Sequence, residues 1–125
     1  MKVIRTERGW AGHFICGDRC LFKRNTLLQT KKDSVVVSTV GAMKKSSGVG
    51  IETIGAGGRF YETMVFGAEQ EGEYIEANVT DERSFDSEWA ICADSQEELP
   101  KDVDNIADKM HETVVDEFIL KLKDA

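Results

Sequence analysis

Arginine and aromatic residues are concentrated near the N-terminus of this 125-residue chain. Residues 5–24 hold four arginines and one lysine, with Trp10, His13, Phe14 and Phe22 among them. A guanidinium forms two parallel hydrogen bonds with a phosphate group, and an aromatic ring stacks on a nucleobase with a gain of about 1–3 kcal/mol. Because arginine outnumbers lysine here, the pattern favours planar, bidentate recognition of a small anion.

Further residues of these types extend the predicted binding surface. Arg59 follows a glycine-rich stretch, and Tyr61 and Phe85 supply further aromatic faces. Each ring taken alone is better explained by core packing, and it is the clustering of arginines that favours a ligand. The predicted ligand-binding residues are Arg8, Trp10, His13, Phe14, Arg19, Arg24, Asn25, Arg59, Tyr61 and Phe85.

The two halves of the chain carry opposite charge. Residues 1–60 hold 11 Lys and Arg against 4 Asp and Glu, whereas residues 61–125 hold 5 against 19, and the net charge is −7. Such a chain repels a long polyanion but leaves room for a local basic site. We therefore expect a small anionic ligand and no duplex nucleic acid. The alternative is that the basic half and the acidic half pair with each other, within or between subunits.

The glycine-rich segments lack the spacing of the common phosphate-binding motifs. The stretch "KKSSG" has no preceding P-loop glycines, and "GAGGRF" lacks the third glycine and the strand-to-helix context of a dinucleotide fold. A smaller anion site remains possible, in which the backbone N–H groups of Gly55, Gly57 and Gly58 and the Arg59 side chain surround a phosphate. The alternative for these glycines is a hairpin turn.

The sequence pattern does not predict a metal site or a catalytic group. His13, Cys16 and Cys20 have the spacing H-x2-C-x3-C, but Cys92 and His111 do not complete the paired modules of a structural zinc site. A cysteine nucleophile is similarly weak, and buried apolar cysteines explain the thiols better. The carboxylates of the acidic half are too numerous to single out an acid/base pair. We expect no metal, no cofactor and no catalytic residue.

The elements that must position these residues are mainly β-strands. "HFIC", "GD" and "RCLF" predict a hairpin, "NTLLQT" continues its second strand, and "SVVVSTV" at 34–40 predicts a buried strand that Gly41 ends. Residues 41–58 predict a mobile loop containing a short strand, "IETI". A second hairpin turns at Glu71-Gly72, and "EWAIC" predicts an edge strand.

One amphipathic helix is predicted at the C-terminal end, in residues 100–124, after a β-rich part in residues 1–99. Pro100 suits a first helical position. The sequence thus predicts a single α+β domain with a mostly antiparallel sheet. The helix has a wide apolar face, typical of self-association, so we expect a homodimer or a higher homo-oligomer. The face comprises Val103, Ile106, Ala107, Met110, Val114, Val115, Phe118, Ile119 and Leu122.

Composition predicts a cytoplasmic location and no membrane partner. No apolar run approaches the roughly 20 residues of a membrane span, and the N-terminus "MKVIRTERGW" has no apolar signal core. The three cysteines do not form a disulfide framework, which agrees with a reducing compartment.

Three segments, "RGWAGHFICGDRCLFKRNTLL", "VVVSTVG" and "RFYETMVFGAEQEGEYIEANV", resemble small phage and prophage proteins of the anti-Thoeris sponge family. The resemblance extends over nearly the whole chain. It implies a bacterial host, an oligomer, and a protein that sequesters cyclic ADP-ribose isomers, or cyclic oligonucleotide signals, without cleaving them. The ligand contacts above come from the residues themselves and are not implied by the resemblance.

Two other function classes remain open at this point. One is a small phosphoesterase or nucleotide-cleaving enzyme, which a metal cluster or an ordered carboxylate–histidine pair would favour. The other is a structural or protein-inhibitor role, in which the acidic half mimics nucleic acid. An exposed acidic face without a ligand pocket would favour that role.

Overall fold

A computed structural model describes residues 2–8, 17–71 and 74–124. The described chain has an α+β fold, in which an antiparallel sheet is followed by one long helix. The strands are β1 (Ile4–Arg8), β2 (Cys20–Gln29), β3 (Ser34–Lys44), β4 (Ile51–Glu52), β5 (Arg59–Glu71), β6 (Tyr74–Ser84) and β7 (Ala90–Cys92). The helix is α1 (Val103–Asp124), and short 3₁₀ turns occupy Gly17–Arg19 and Gln96–Glu98.

The sheet has the strand order β1-β2-β3-β5-β6, and all pairs are antiparallel. Strand β4 pairs with the end of β3, and β7 pairs with the start of β5. Strand β3 is central and buried on both faces, because valine, serine and threonine fill it from Val35 to Val40. This accounts for the uninterrupted apolar and β-branched run that the sequence shows there.

The helix α1 lies on one face of the sheet. Its buried residues Val114, Val115, Phe118 and Leu122 pack against strand residues such as Val35 in the main core cluster. Much of the apolar face that suggested self-association is therefore covered by the chain's own sheet, although Ile106 remains 37% exposed. The helix begins three residues after Pro100, and Asp102 accepts the first backbone hydrogen bonds from Asn105 and Ile106.

The second predicted hairpin and the predicted edge strand are present. Strands β5 and β6 pair up to Glu71↔Tyr74, and the predicted turn at Glu71-Gly72 lies partly outside the described residues. The first strand of the other predicted hairpin, at residues 13–16, lies outside the described residues. Its predicted turn at Gly17-Asp18 is a 3₁₀ turn, after which Cys20 starts β2.

The sequence prediction that Gly41 ends the central strand was wrong. Strand β3 continues to Lys44, and Gly41 is required inside it because a β-carbon there would overlap the Tyr61 ring on the neighbouring strand. The expected 41–58 loop is accordingly shorter, since residues 41–44 belong to β3 and Ile51–Glu52 form β4. Strand β1 was not expected at all.

In the part of the chain that the structure describes, no helix has the length and apolar character of a membrane span.

Candidate functional site

Arg24 lies among carboxylates contributed by three different elements. Its guanidinium donates to Glu7 on β1, to Asp108 at 3.4 Å and to Glu112 at 3.2 Å on α1. Arg5 forms a two-bond pair with Glu112, at 2.7 and 2.8 Å. Here the basic half and the acidic half of the chain pair with each other, as the alternative interpretation of the charge pattern supposed.

The surface beside Arg24 is an open cleft of about 510 Å³. It is lined by Arg24, Asp108, Lys109, Glu112, Thr113 and Asp116. Carboxylates outnumber cationic groups in this lining. The cleft is therefore electrostatically unsuited to a phosphate-bearing ligand.

Three other predicted residues are also engaged. Arg19 donates to the Lys44 carbonyl at 2.8 Å and to the Glu52 carboxylate at 3.2 Å. Asn25 is 2% exposed on β2 and Arg8 is half-buried opposite it at the end of β1, and each takes part in an interaction. These three residues therefore already interact within the chain.

Tyr61 is part of the core beneath the N-terminal end of the helix. Its hydroxyl donates to the Asp104 carboxylate at 2.6 Å, and its ring meets Phe22 edge-on with 5.6 Å between centroids. Burial and the neighbouring Asp104 carboxylate raise the pKa of the phenol. With 2% exposure, Tyr61 helps to hold the helix on the sheet and does not offer a stacking face.

Arg59 and Phe85 are brought together by the fold. The guanidinium carbon of Arg59 lies 4.9 Å from the Phe85 ring centroid, within cation–π range. In the described residues no carboxylate forms an ion pair with Arg59, and its buried Nε has no hydrogen-bond partner. Arg59 therefore differs from Arg19 and Arg24, because those two arginines form ion pairs with carboxylates of the described residues and Arg59 does not.

The glycines before Arg59 form a hairpin turn and not a phosphate-binding loop. Gly55 pairs with Arg59 across an isolated bridge, and Gly57 and Gly58 have φ values of 76° and 74°. Consecutive left-handed residues are typical of tight hairpin turns, whereas anion nests alternate right-handed and left-handed residues. Gly55 also leaves space for the guanidinium, since a β-carbon there would overlap the Arg59 side chain.

Cys92 lies directly opposite Arg59 in the β5–β7 pair. Residues opposite each other in an antiparallel pair project from the same face of the sheet. Cys92 has a free thiol and is exposed, so it forms part of the surface beside Arg59.

A buried chain of hydroxyl and imidazole groups connects the helix to the sheet. Thr26 donates to both oxygens of Glu7, at 2.7 and 2.8 Å, and must therefore accept from His111 Nε2 at 2.7 Å. The other ring nitrogen, Nδ1, lies 2.7 Å from the Thr39 hydroxyl, which lies 2.6 Å from the Thr63 hydroxyl. The Thr26 contact thus places a proton on Nε2, and in the neutral ring Nδ1 accepts from Thr39, which accepts from Thr63.

The surroundings of this chain keep the histidine neutral and the nearby carboxylate ionised. Burial and the positive charge of Arg24 lower the pKa of His111 to about 4. Hydrogen bonds from Arg5 and Arg24 lower the pKa of Glu112 to about 2. His111 is fully buried between the helix and the sheet, and its contacts connect these two elements.

The sequence interpretation missed this network, whereas it named both Arg59 and Phe85 as candidate residues without predicting that they contact each other. His111 could have been noticed because it follows Ala107 by four residues on the apolar side of the helix. The structure brings Arg59 and Phe85 together, whereas Arg24 and Arg19 are paired with carboxylates. Trp10, His13 and Phe14 lie outside the described residues.

Among residues 2–8, 17–71 and 74–124, no group of three His, Cys, Asp or Glu side chains is arranged to hold a metal ion. Comparisons of the chain with protein-family models, with curated proteins and with solved structures find no match.

Proposed function

We propose that this protein binds a small cyclic nucleotide signal and sequesters it without cleaving it. The observation that carries the proposal is the Arg59 guanidinium, which is stacked on Phe85 and lacks an anionic partner in the described chain. The resemblance to sponge proteins of phages suggests cyclic ADP-ribose isomers or cyclic oligonucleotides as the ligands, in the cytoplasm of a bacterial host.

Stacking on Phe85 prepares Arg59 for a phosphate group. A guanidinium packed on an aromatic ring keeps its N–H donors at its edge, where they can bond to the oxygens of a phosphate. Little side-chain entropy is then lost when the ligand binds, because the side chain is already confined between Phe85 and the Gly55 backbone.

The arrangement differs from that of an anion site made by chance from surface charge. Arg59 contacts the Phe85 ring and forms no ion pair within the described residues, whereas Arg83 is held by Asp33 at 2.9 Å and by Asp81 at 3.0 Å. A ligand phosphate would thus meet no competing carboxylate on Arg59. Arg83 offers a control with the same side chain and the opposite situation.

The experiment uses binding and chemical recovery together. Excess protein is incubated with cyclic ADP-ribose isomers and cyclic oligonucleotides, unbound nucleotide is removed, the protein is denatured, and the released molecules are identified by chromatography. Recovery of the intact molecule supports sequestration. Cleaved product in excess over protein would show an enzyme, and failure of every nucleotide to bind would leave the protein-inhibitor alternative.

The Arg59→Ala substitution tests the site itself. Loss of a charge-assisted hydrogen bond is expected to weaken nucleotide binding about 10- to 100-fold in calorimetry. The matched Arg83→Ala variant should bind as the unaltered protein does. Equal affinity of the Arg59→Ala and unaltered proteins would place the ligand elsewhere on the molecule.

A further inference from the structure

The sheet ends on one side in strand β1, whose outer edge has no neighbouring strand in the described part of the chain. Its pairing with β2 is regular through five residue pairs, from Ile4↔Gln29 to Arg8↔Asn25. An open edge of this kind is a template for pairing with another strand. The opposite edge is less suitable because the β5–β6 pairing is interrupted by two register shifts, and bulges twist an edge away from a partner.

We propose that β1 pairs with β1 of a second copy of this chain, antiparallel and centred on Thr6. In that register Arg5 lies opposite Glu7 of the second copy, and Glu7 lies opposite Arg5 of the second copy. The sheets of two protomers then join into one continuous sheet. This proposal is independent of nucleotide binding.

Charge selects this register from the few that symmetry allows. In the symmetric dimer, a two-fold axis perpendicular to the sheet relates the two β1 strands. Opposite residues must project from the same face, and side chains alternate between the faces along each strand. The axis must therefore place one residue opposite its own copy. An axis at Arg5, Glu7 or Arg8 places like charges opposite each other, which is destabilising. An axis at Ile4 forms no charge pair. The axis at Thr6 forms two opposite-charge pairs and a favourable threonine–threonine pair.

The same register also covers an exposed apolar residue. Ile4 is 52% exposed, although it belongs to a regular strand. Pairing centred on Thr6 places Ile4 opposite Arg8 of the second copy. The aliphatic stem of an arginine covers apolar surface of this size while its charged end stays in water.

The ion pairs within one chain leave the Glu7 carboxylate able to bond to Arg5 of the second copy. Arg5 and Arg24 share three carboxylates within one chain, namely Glu7, Glu112 and Asp108. The cluster therefore has one negative charge in excess. Glu7 is 47% exposed and can accept from a second guanidinium.

A pair of charge-reversal variants tests the register. Each of Arg5→Glu and Glu7→Arg places like charges opposite each other in its own homodimer, so sedimentation should show about tenfold weaker self-association than for the unaltered chain. An equimolar mixture restores opposite charges across both pairs and should associate about as strongly as the unaltered chain. Mixing cannot repair a folding defect within one chain, and circular dichroism of each variant checks its fold.

A cross-linking experiment tests the position of the axis separately. In a background with Cys16→Ser and Cys92→Ser, Thr6→Cys should form an interchain disulfide on oxidation, because opposite residues have β-carbons about 5 Å apart. The matched Ile4→Cys chain should not, since the two copies of position 4 would lie about 13 Å apart. The proposal would be overturned if the unaltered chain were a monomer at every concentration, or if position 4 cross-linked instead of position 6. It would also be overturned if both charge-reversal variants associated as strongly as the unaltered chain, or if their mixture did not restore association.

Discussion

At the scale of single residues, Arg24 bonds to carboxylates that lie on β1 and on the helix α1. Arg24 is separated from Glu112 by 88 positions, and only the docking of the helix on the sheet brings them together. Residue type predicts that a guanidinium needs an anion, whereas it does not decide between a ligand and the chain's own carboxylates. Arg59 could be selected only after those pairs were known.

Arg24 is accordingly expected to contribute to stability more than to ligand binding. The Arg24→Ala substitution removes its bonds to Glu7, Asp108 and Glu112 and should lower the free energy of unfolding by about 1–2 kcal/mol. Urea denaturation measures this loss, and calorimetry should show unchanged nucleotide affinity. A variant that unfolds like the unaltered protein but binds more weakly would instead make Arg24 a ligand contact.

His111 should make the stability of the protein depend on pH. Its pKa is about 4 in the folded protein and about 6.5 when unfolded, so the unfolded chain binds more protons between these values. The resulting stability is complete above pH 6.5 and decreases as the pH falls towards 4, by about 3 kcal/mol in all. The Glu112 carboxylate adds a second decrease below about pH 4.5, in the same direction.

The His111→Leu substitution separates this effect from general acid denaturation. It removes the acceptor of the Thr39 hydroxyl and the donor to Thr26, so a loss of about 1–3 kcal/mol is expected at pH 7. The slope of stability between pH 6.5 and 4 should become shallower than in the unaltered protein. Melting curves recorded across that pH interval measure the slope for both proteins. An unchanged slope of stability against pH would show that His111 does not titrate as described.

At the scale of elements, alternation and apolar runs predicted the strands that bury side chains. The valine run of β3 and the β5–β6 hairpin are examples, since burial leaves a pattern in the sequence. Strand β1 has four exposed residues of five and a mixed charged sequence, so no such pattern marks it. The continuation of β3 through Gly41 also could not be predicted, because it depends on where the Tyr61 ring lies.

The Gly41→Ala substitution tests that dependence. A β-carbon would overlap the Tyr61 ring, so we expect a loss of about 1–3 kcal/mol from overpacking and displacement of the ring. Gly48→Ala is the control: its φ is 82° but nothing lies within 4 Å, so its cost is limited to about 1 kcal/mol of backbone strain. Chemical denaturation compares the two. A Gly41→Ala chain as stable as the unaltered protein would place the Tyr61 ring away from β3.

At the scale of the whole molecule, the opposite charges of the two halves are partly matched within the fold. Arg5 of the basic half pairs with Glu112 of the acidic half, and Arg24 of the basic half pairs with Asp108. The asymmetry of the sequence therefore reflects how the helix and the strand edges are held together. The expectation of self-association through the apolar helix face changes for the same reason, because the sheet of the same chain covers much of that face.

Phe118 provides the test of this arrangement, because the helix can contact either the sheet or a partner through it. The ring is 7% exposed and packs edge-on against Trp89, with 6.3 Å between centroids, in the cluster that contains Val114 and Val115. The Phe118→Asp substitution would place a carboxylate in this apolar cluster, where Lys121 at the margin is the nearby cation, and should unfold the chain. Loss of the near-ultraviolet signal of Trp89 would show the unfolding. Leu120 lies on the same helix but is 62% exposed, so the Leu120→Asp substitution should leave the fold and the mass of the assembly in solution unchanged. If the Phe118→Asp chain were instead folded and monomeric while the unaltered chain is oligomeric, the face would be an interface between subunits and the helix would not depend on the sheet for its burial.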